Sequence, residues 1–281
     1  MTCLSKRLLA DLFFQKRKAA AVAMNDAKGC YDRISHPIAI LVLRSYGLPH
    51  TIAKVLIKTL QKSVHHIKTG YGRSGPLYGN ELVPLSGIGQ GNGLGPTLWA
   101  LISSKLFLMM QRAGHGVRLT SALSNTIVAL VGFAFVDDTD LFYTKPTEPH
   151  DHDSLCDGFQ TALDRWAGGL TATGGALAPA KSFCYLLDYF WTGSQWAFRS
   201  VEDLPGEFTL TDQRGSRHPL RRYSPSHAER TLGVYISMDG NQLAEIRYLK
   251  EKCTSFGAKM LSSSCTRNEA LYTFESCLLP A

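Results

Sequence analysis

The 281-residue chain carries 30 Lys and Arg against 23 Asp and Glu, a formal net charge of +7. A basic balance of this kind suits a polyanionic partner such as nucleic acid. Its seven cysteines include no Cys-x-x-Cys pair and argue against a disulfide framework, and no apolar run reaches the roughly 20 residues that span a membrane.

Residues 1–19 read as a helix whose basic, briefly apolar start is not a signal peptide. Ala19 to Met24 is an apolar strand that runs into Asn25-Asp26-Ala27-Lys28-Gly29-Cys30-Tyr31-Asp32. Pro37 to Tyr46 is an apolar helix closed by Gly47. Pro49 to about His65 is an amphipathic helix: Lys54, Lys58 and Lys62 form one stripe, with Ile52, Val55, Leu56 and Leu60 as its apolar complement. Such a stripe serves either as a solvated face or as a contact for a phosphate backbone. Tyr71 to Asn80 is a glycine-rich hairpin loop. Ser86 to Gly95 is a second glycine-rich loop leading into a buried helix over Pro96 to Arg112, with proline in the first turn, where it is tolerated.

Two short apolar runs, Gly132 to Val136 and Leu141 to Tyr143, flank Asp137-Asp138, so two acids are expected at the tip of a tight hairpin. Ser154 to Trp166 is a helix ending toward Gly168-Gly169 and Gly174-Gly175. The polar run His150 to Asp157 is a loop opening that helix; it lacks the glutamate that a calcium loop needs at its twelfth position. Phe183 to Trp191 and Gln195 to Arg199 read as strands, and Leu204 to Ala228 as an extended, arginine-rich insertion. Asn241 to Ser263 and Asn268 to Leu279 are helical. Helices over a mostly antiparallel sheet make the fold α+β.

Adjacent carboxylates are unfavourable unless a cation neutralises them, and Mg²⁺ binds through oxygens of one or two carboxylates plus substrate phosphates. The order of an acid-bearing strand, a glycine loop into a helix and an Asp-Asp hairpin resembles the palm of reverse transcriptases, of the non-LTR retrotransposon and group II intron type. Asp26 matches the first catalytic carboxylate of that family, and Phe135-Val136-Asp137-Asp138 its aromatic-x-Asp-Asp box. Gln90-Gly91 matches the family's Gln-Gly pair, with Pro96 following at the expected spacing; Asn92-Gly93 departs from the commoner pattern. Ala178-Pro179-Ala180-Lys181-Ser182 is similar to the next motif with its lysine, and Leu232-Gly233-Val234-Tyr235 to the element before the thumb.

The resemblance implies an RNA-directed DNA polymerase of a retroelement, transferring deoxynucleotides from dNTPs to a primer 3′-hydroxyl on an RNA template. Two Mg²⁺ ions, with Mn²⁺ as a possible substitute, are implied on Asp26, Asp137, Asp138 and the Ala27 carbonyl. Tyr31 is implied under the sugar, where a ring blocks a 2′-hydroxyl; Gln90, Gly91 and Lys181 line the nucleotide site, and Lys54, Lys58 and Lys62 are candidates for the nucleic-acid backbone. The expected division is a palm with partial fingers over 1–240 and a helical segment beginning a thumb over 241–281. No membrane is expected, and the location is intracellular, in nucleus or cytoplasm. A truncated or domesticated palm that binds nucleic acid without catalysis is the alternative, and an RNA-dependent RNA polymerase is disfavoured by Tyr31.

Overall fold

The computed structural model describes residues 2–75, 77, 79, 86–89, 91–121, 124, 126–145 and 151–278. In chain order, α1 (Thr2–Lys16) precedes β1 (Ala20–Asp26), α2 (His36–Ser45) and α3 (His50–Gln61). A small hairpin of β2 (Lys68–Thr69) and β3 (Gly72–Arg73) follows, then α4 (Leu94–Arg112) and a hairpin of β4 (Val117–Thr120) and β5 (Ile127–Leu130). Next come β6 (Gly132–Phe135), β7 (Asp138–Tyr143), α5 (His152–Ala172), a short 3₁₀ turn (Pro179–Lys181) and β8 (Phe183–Leu187). Three hairpins close the sheet-forming part: β9 (Tyr189–Trp191) with β10 (Trp196–Phe198), β11 (Phe208–Thr211) with β12 (Arg217–Tyr223), and β13 (Glu229–Thr231) with β14 (Val234–Ile236). The last helices are α6 (Leu243–Leu261) and α7 (Arg267–Thr273).

The larger of two compact units holds 19–187 and 201–222. Its sheet runs β11-β12-β8-β1-β7-β6, with β1 antiparallel to both neighbours. β1 is buried along almost its whole length because alanine, valine and methionine occupy both faces. Ala21 and Ala23 join Leu141, Tyr143, Cys184 and Leu186 on one face, where the helices α4 and α5 supply Leu98, Trp99, Ile102, Phe159, Leu163 and Trp166. Small residues on β1 let these helices approach, and the large side chains fill the layer at interior density. This is the α+β class expected, a mostly antiparallel sheet backed by helices.

The smaller unit holds the chain up to Lys18, Asp188–Ser200 and the chain from Tyr223 on. These units cut the chain differently from the division at 240 read from the sequence: α1 and the β13–β14 hairpin group with the C-terminal helices. In this unit Phe14 packs on Tyr189 and Phe198, and Arg17 lies over the rings of Phe14 and Trp196. The Leu232-Gly233 motif forms the two-residue turn between β13 and β14, both residues having positive φ, as a twist-matched hairpin turn requires.

Several elements differ from expectation for identifiable reasons. α5 continues through Gly168-Gly169 to Ala172, because Gly169 is where Leu106 and Met109 of α4 come closest and a side chain there would collide with them. The single strand expected over Phe183–Trp191 is two, broken at Asp188, and the halves belong to different units. Leu204–Ala228 is not an extended insertion; it folds as the β11–β12 hairpin and lengthens the main sheet. α3 stops at Gln61 and buries Ala53, Ile57 and Leu60, leaving Ile52 and Val55 exposed. All seven cysteines are free thiols.

Candidate functional site

The acidic centre is built by the register of β1 on β7. Asp26, the last residue of β1, stands directly opposite Asp138, the first of β7. Like charges directly opposed across two strands are destabilising. Asp137 lies one residue earlier, in a two-residue turn closed by the Phe135–Asp138 pair. Val136 takes the first turn position with φ 57°, a conformation that suits glycine and strains a β-branched residue. That strain is held from two sides: the Trp99 indole on α4 donates to the Val136 carbonyl, and the Ala27 amide donates to the Asp137 carbonyl at 2.9 Å. Strained backbone of this kind persists where surrounding contacts over-determine it, and it clusters at functional sites.

A cleft of about 550 Å³ opens beside this turn. Asp26, Ala27, Lys28 and Gly29 form one wall with Asp137; Ala176 to Lys181 form a second; Asp212, Gln213, Arg214 and His218 form a third. The second wall is stitched to β1, with the Lys28 amide donating to Ala176 and the Ala178 amide to Asp26. Lys181 reaches Asp26, Nζ to Oδ2 at 3.1 Å. Its ammonium is held above the ordinary lysine range, first by the hydrogen bond and charge of Asp26, then by Asp137 and Asp138. One cation thus feels all three aspartates, which relieves their repulsion.

The donor set is all hard oxygen, the kind that Mg²⁺ prefers. Among the described residues no three His, Cys, Asp or Glu side chains come close enough to cage a metal unaided.

Tyr31 is half-buried, its ring against Gly95 at the start of α4. Burial, the Cys30 thiol and the charge of Asp137 raise its phenol pKa, so the ring lies within the field of the acidic centre. Cys30 beside it is pushed up to about 11 by burial and Asp137, so its thiol stays neutral. The glycine loop docks here: Ile88 donates to the Tyr31 carbonyl at 2.8 Å, and Gly87, at φ 67°, lies so close to the Tyr31 and Asp32 backbone that no side chain fits. Asn92, where the loop departs from the family pattern, accepts from the Leu94 amide at 2.9 Å, one residue before the Gly93 N-cap of α4.

Of the other expected site residues, Gly91 is exposed at φ 84°, and Gln90 lies outside the described residues. Lys54 and Lys58 on α3 and Lys62 just after its end are exposed, and none of them lines the cleft. The arginines of 217–222 are committed to structure: Arg217 pairs with Asp164 at 3.2 Å, Arg221 donates to the Ala180 carbonyl, and Arg222 to those of Val201, Leu204 and Gly206. Asp151 caps α5 by accepting from the Ser154 amide and hydroxyl; His150 lies outside the described residues.

Sequence reading missed Lys28 and the third wall. Asp212-Gln213-Arg214-Gly215 carries the Asp-x-x-Gly signature of a type I turn, a signal sufficient to mark a hairpin between β11 and β12. The Asp212 carboxylate accepts from the amides of Arg214 and Ser216 and from His218 Nε2, at 2.8, 2.9 and 2.9 Å.

Over 147 residues the chain is 24% identical to the retrovirus-related Pol polyprotein from type-1 retrotransposable element R2 of Popillia japonica. The chain is reverse-transcriptase-like. The match takes in 52% of this chain and 23% of the relative, so the chain spans about a quarter of the length of the polyprotein it matches. No protein-family model matches the chain. Solved structures to which the chain is similar include telomerase of Candida albicans with the TWJ fragment of telomeric RNA. It is 16% identical with a TM-score of 0.44, covering 99% of this chain and 41% of that one. Another is apo telomerase of Candida tropicalis truncated from its C-terminal domain, 15% identical with a TM-score of 0.41, covering 70% and 36%. Among the described residues no helix is long and apolar enough to cross a membrane.

Proposed function

We propose that the chain is an RNA-directed DNA polymerase domain of a retroelement, adding dNTPs to a primer 3′-hydroxyl on an RNA template. The observation that carries this reading is the juxtaposition of Asp26 and Asp137 on one cleft, with Asp138 opposite Asp26. Two Mg²⁺ ions, or Mn²⁺ in their place, held by these carboxylates and the Ala27 carbonyl, would stabilise the attacking and leaving oxygens. The chain's own residues do the rest. Tyr31 presents a ring where a ribose 2′-hydroxyl would sit, which selects deoxynucleotides. Lys181 neutralises Asp26 in the resting site and is placed to meet the charge that develops on a leaving diphosphate. The exposed Lys54, Lys58 and Lys62 stripe supplies phosphate contacts for template or primer.

One observation favours a second reading. The Lys181–Asp26 ion pair puts a protein cation where a metal would compete, as expected of a palm kept for binding nucleic acid without catalysis. Incorporation of dTTP and UTP on poly(rA)/oligo(dT) with Mg²⁺ or Mn²⁺ separates the cases. The polymerase reading expects dTTP incorporation with UTP rejected, and relaxed rejection in Tyr31→Ala. Template binding without any incorporation would point to a truncated palm or one kept only for binding, and preference for UTP would make the protein an RNA polymerase.

A further inference from the structure

The third wall of the cleft has no role in the function proposed above. Its tip is rigid. Asp212 and Ser216 close the loop through the Asp212 amide and Ser216 carbonyl at 3.0 Å, Gly215 turns at φ 80°, and the Asp212 carboxylate takes two loop amides and His218. Two long-range bonds aim it: Arg33 donates to the Gln213 side chain, and Arg221 ties β12 to the Ala180 carbonyl beside Lys181. Asp212 is thereby consumed by its own loop. Arg214 is not: its guanidinium is exposed and makes no hydrogen bond or ion pair with any described residue, although it lines the cleft. Lys28, on the wall that carries Asp26 and also exposed, is likewise without a side-chain partner among the described residues.

The cleft thus combines the carboxylates of Asp26 and Asp137 with two uncommitted cations. A ligand that fits carries oxygens for a metal on the carboxylates and further anionic oxygens for the cations. We infer that Arg214, together with Lys28, binds the phosphate tail of the incoming nucleoside triphosphate, making the β11–β12 hairpin a fixed part of the nucleotide site. Guanidinium suits this task because its planar fork engages phosphate in a bidentate way that an ammonium cannot reproduce. Holding Arg214 on a stapled loop removes much of the ordering cost of each binding event. The inference rests on the polymerase reading for the identity of the ligand, and on the cleft alone for the position of the cation.

The test uses the 281-residue chain and its Arg214→Gln and Arg214→Lys variants. Affinities for dTTP and for dTMP are measured by calorimetry with Ca²⁺, beside steady-state dTTP incorporation on poly(rA)/oligo(dT) with Mg²⁺. The expected result is a dTTP dissociation constant raised about tenfold in Arg214→Gln and less in Arg214→Lys. Affinity for dTMP stays unchanged, KM for dTTP rises more than kcat falls, and thermal unfolding matches wild type. A wild type that incorporates dTTP, with Arg214→Gln binding dTTP within twofold of it, overturns the inference and leaves the polymerase reading standing. A wild type that neither binds nor incorporates dTTP overturns both.

Discussion

The β6–β7 and β11–β12 hairpins each bring an aspartate to the cleft beside Asp26, Asp137 from one and Asp212 from the other. Asp137 sits on a strained two-residue turn, with Val136 at φ 57°, and its carboxylate accepts no hydrogen bond from any described residue. Asp212 sits on a relaxed five-residue loop and is saturated by two amides and an imidazole. The first arrangement keeps a charge available for a ligand and draws stability from elsewhere, from Trp99 and the Ala27 amide. The second spends the charge on loop geometry and leaves a neighbouring arginine available instead. The same residue type thus does opposite work according to whether the backbone around it is satisfied.

The sharpest way to break this comparison is to remove one charge. Asp137→Asn should lower dTTP incorporation on the order of 10²–10³-fold, the usual loss for an electrostatic group acting on the transition state. Its folding stability should be unchanged or slightly raised, since a like-charge repulsion is relieved. Retained incorporation would mean that the free carboxylate has no catalytic work. Next in size is the backbone fit of the strained hairpin. A Cβ at Gly132 would collide with the Asp140 carbonyl oxygen of β7, so Gly132→Ala should cost about 3 kcal/mol in urea unfolding. A loss below about 1 kcal/mol would show that β6 can shift without cost.

Trp99→Phe keeps the ring's burial and removes only the donor to Val136. It should cost about 1–2 kcal/mol and increase hydrogen exchange in the β6–β7 turn. The smallest effect is expected at the other hairpin. His218 and the loop amides hold the Asp212 carboxyl below the ordinary carboxylate range. A depressed folded pKa gives stabilisation that is present above the unfolded pKa, about 4, and is lost as pH falls through the folded value. Amide exchange at Arg214 and Ser216 should therefore stay protected at neutral pH and rise only in acid. Protection lost on the alkaline side would contradict the staple.

Legibility in the sequence divided along the same line. β1, the β6–β7 hairpin, α2 and α4 follow from apolar runs bounded by glycine, proline and paired acids, and three aspartates could be named before any fold was known. The β11–β12 hairpin escaped because only Phe208, Leu210 and Leu220 of it are buried apolar residues, and two of its arginines, Arg221 and Arg222, donate to backbone carbonyls. Gly168-Gly169 reads as a helix end in sequence; only the approach of α4 reveals why glycine is kept inside α5. The side of the cleft that carries charge in runs was readable, and the side that depends on tertiary hydrogen bonds was not.

The measurement that tests the central claim most directly is primer extension on poly(rA)/oligo(dT) with dTTP and Mg²⁺, comparing wild type with Asp137→Asn and Asp212→Asn in parallel. The account predicts incorporation by wild type, its loss in Asp137→Asn, and only a modest rise in KM for Asp212→Asn, whose loop must re-form around a neutral side chain. Equal loss in the two variants, or incorporation that survives Asp137→Asn, would contradict it.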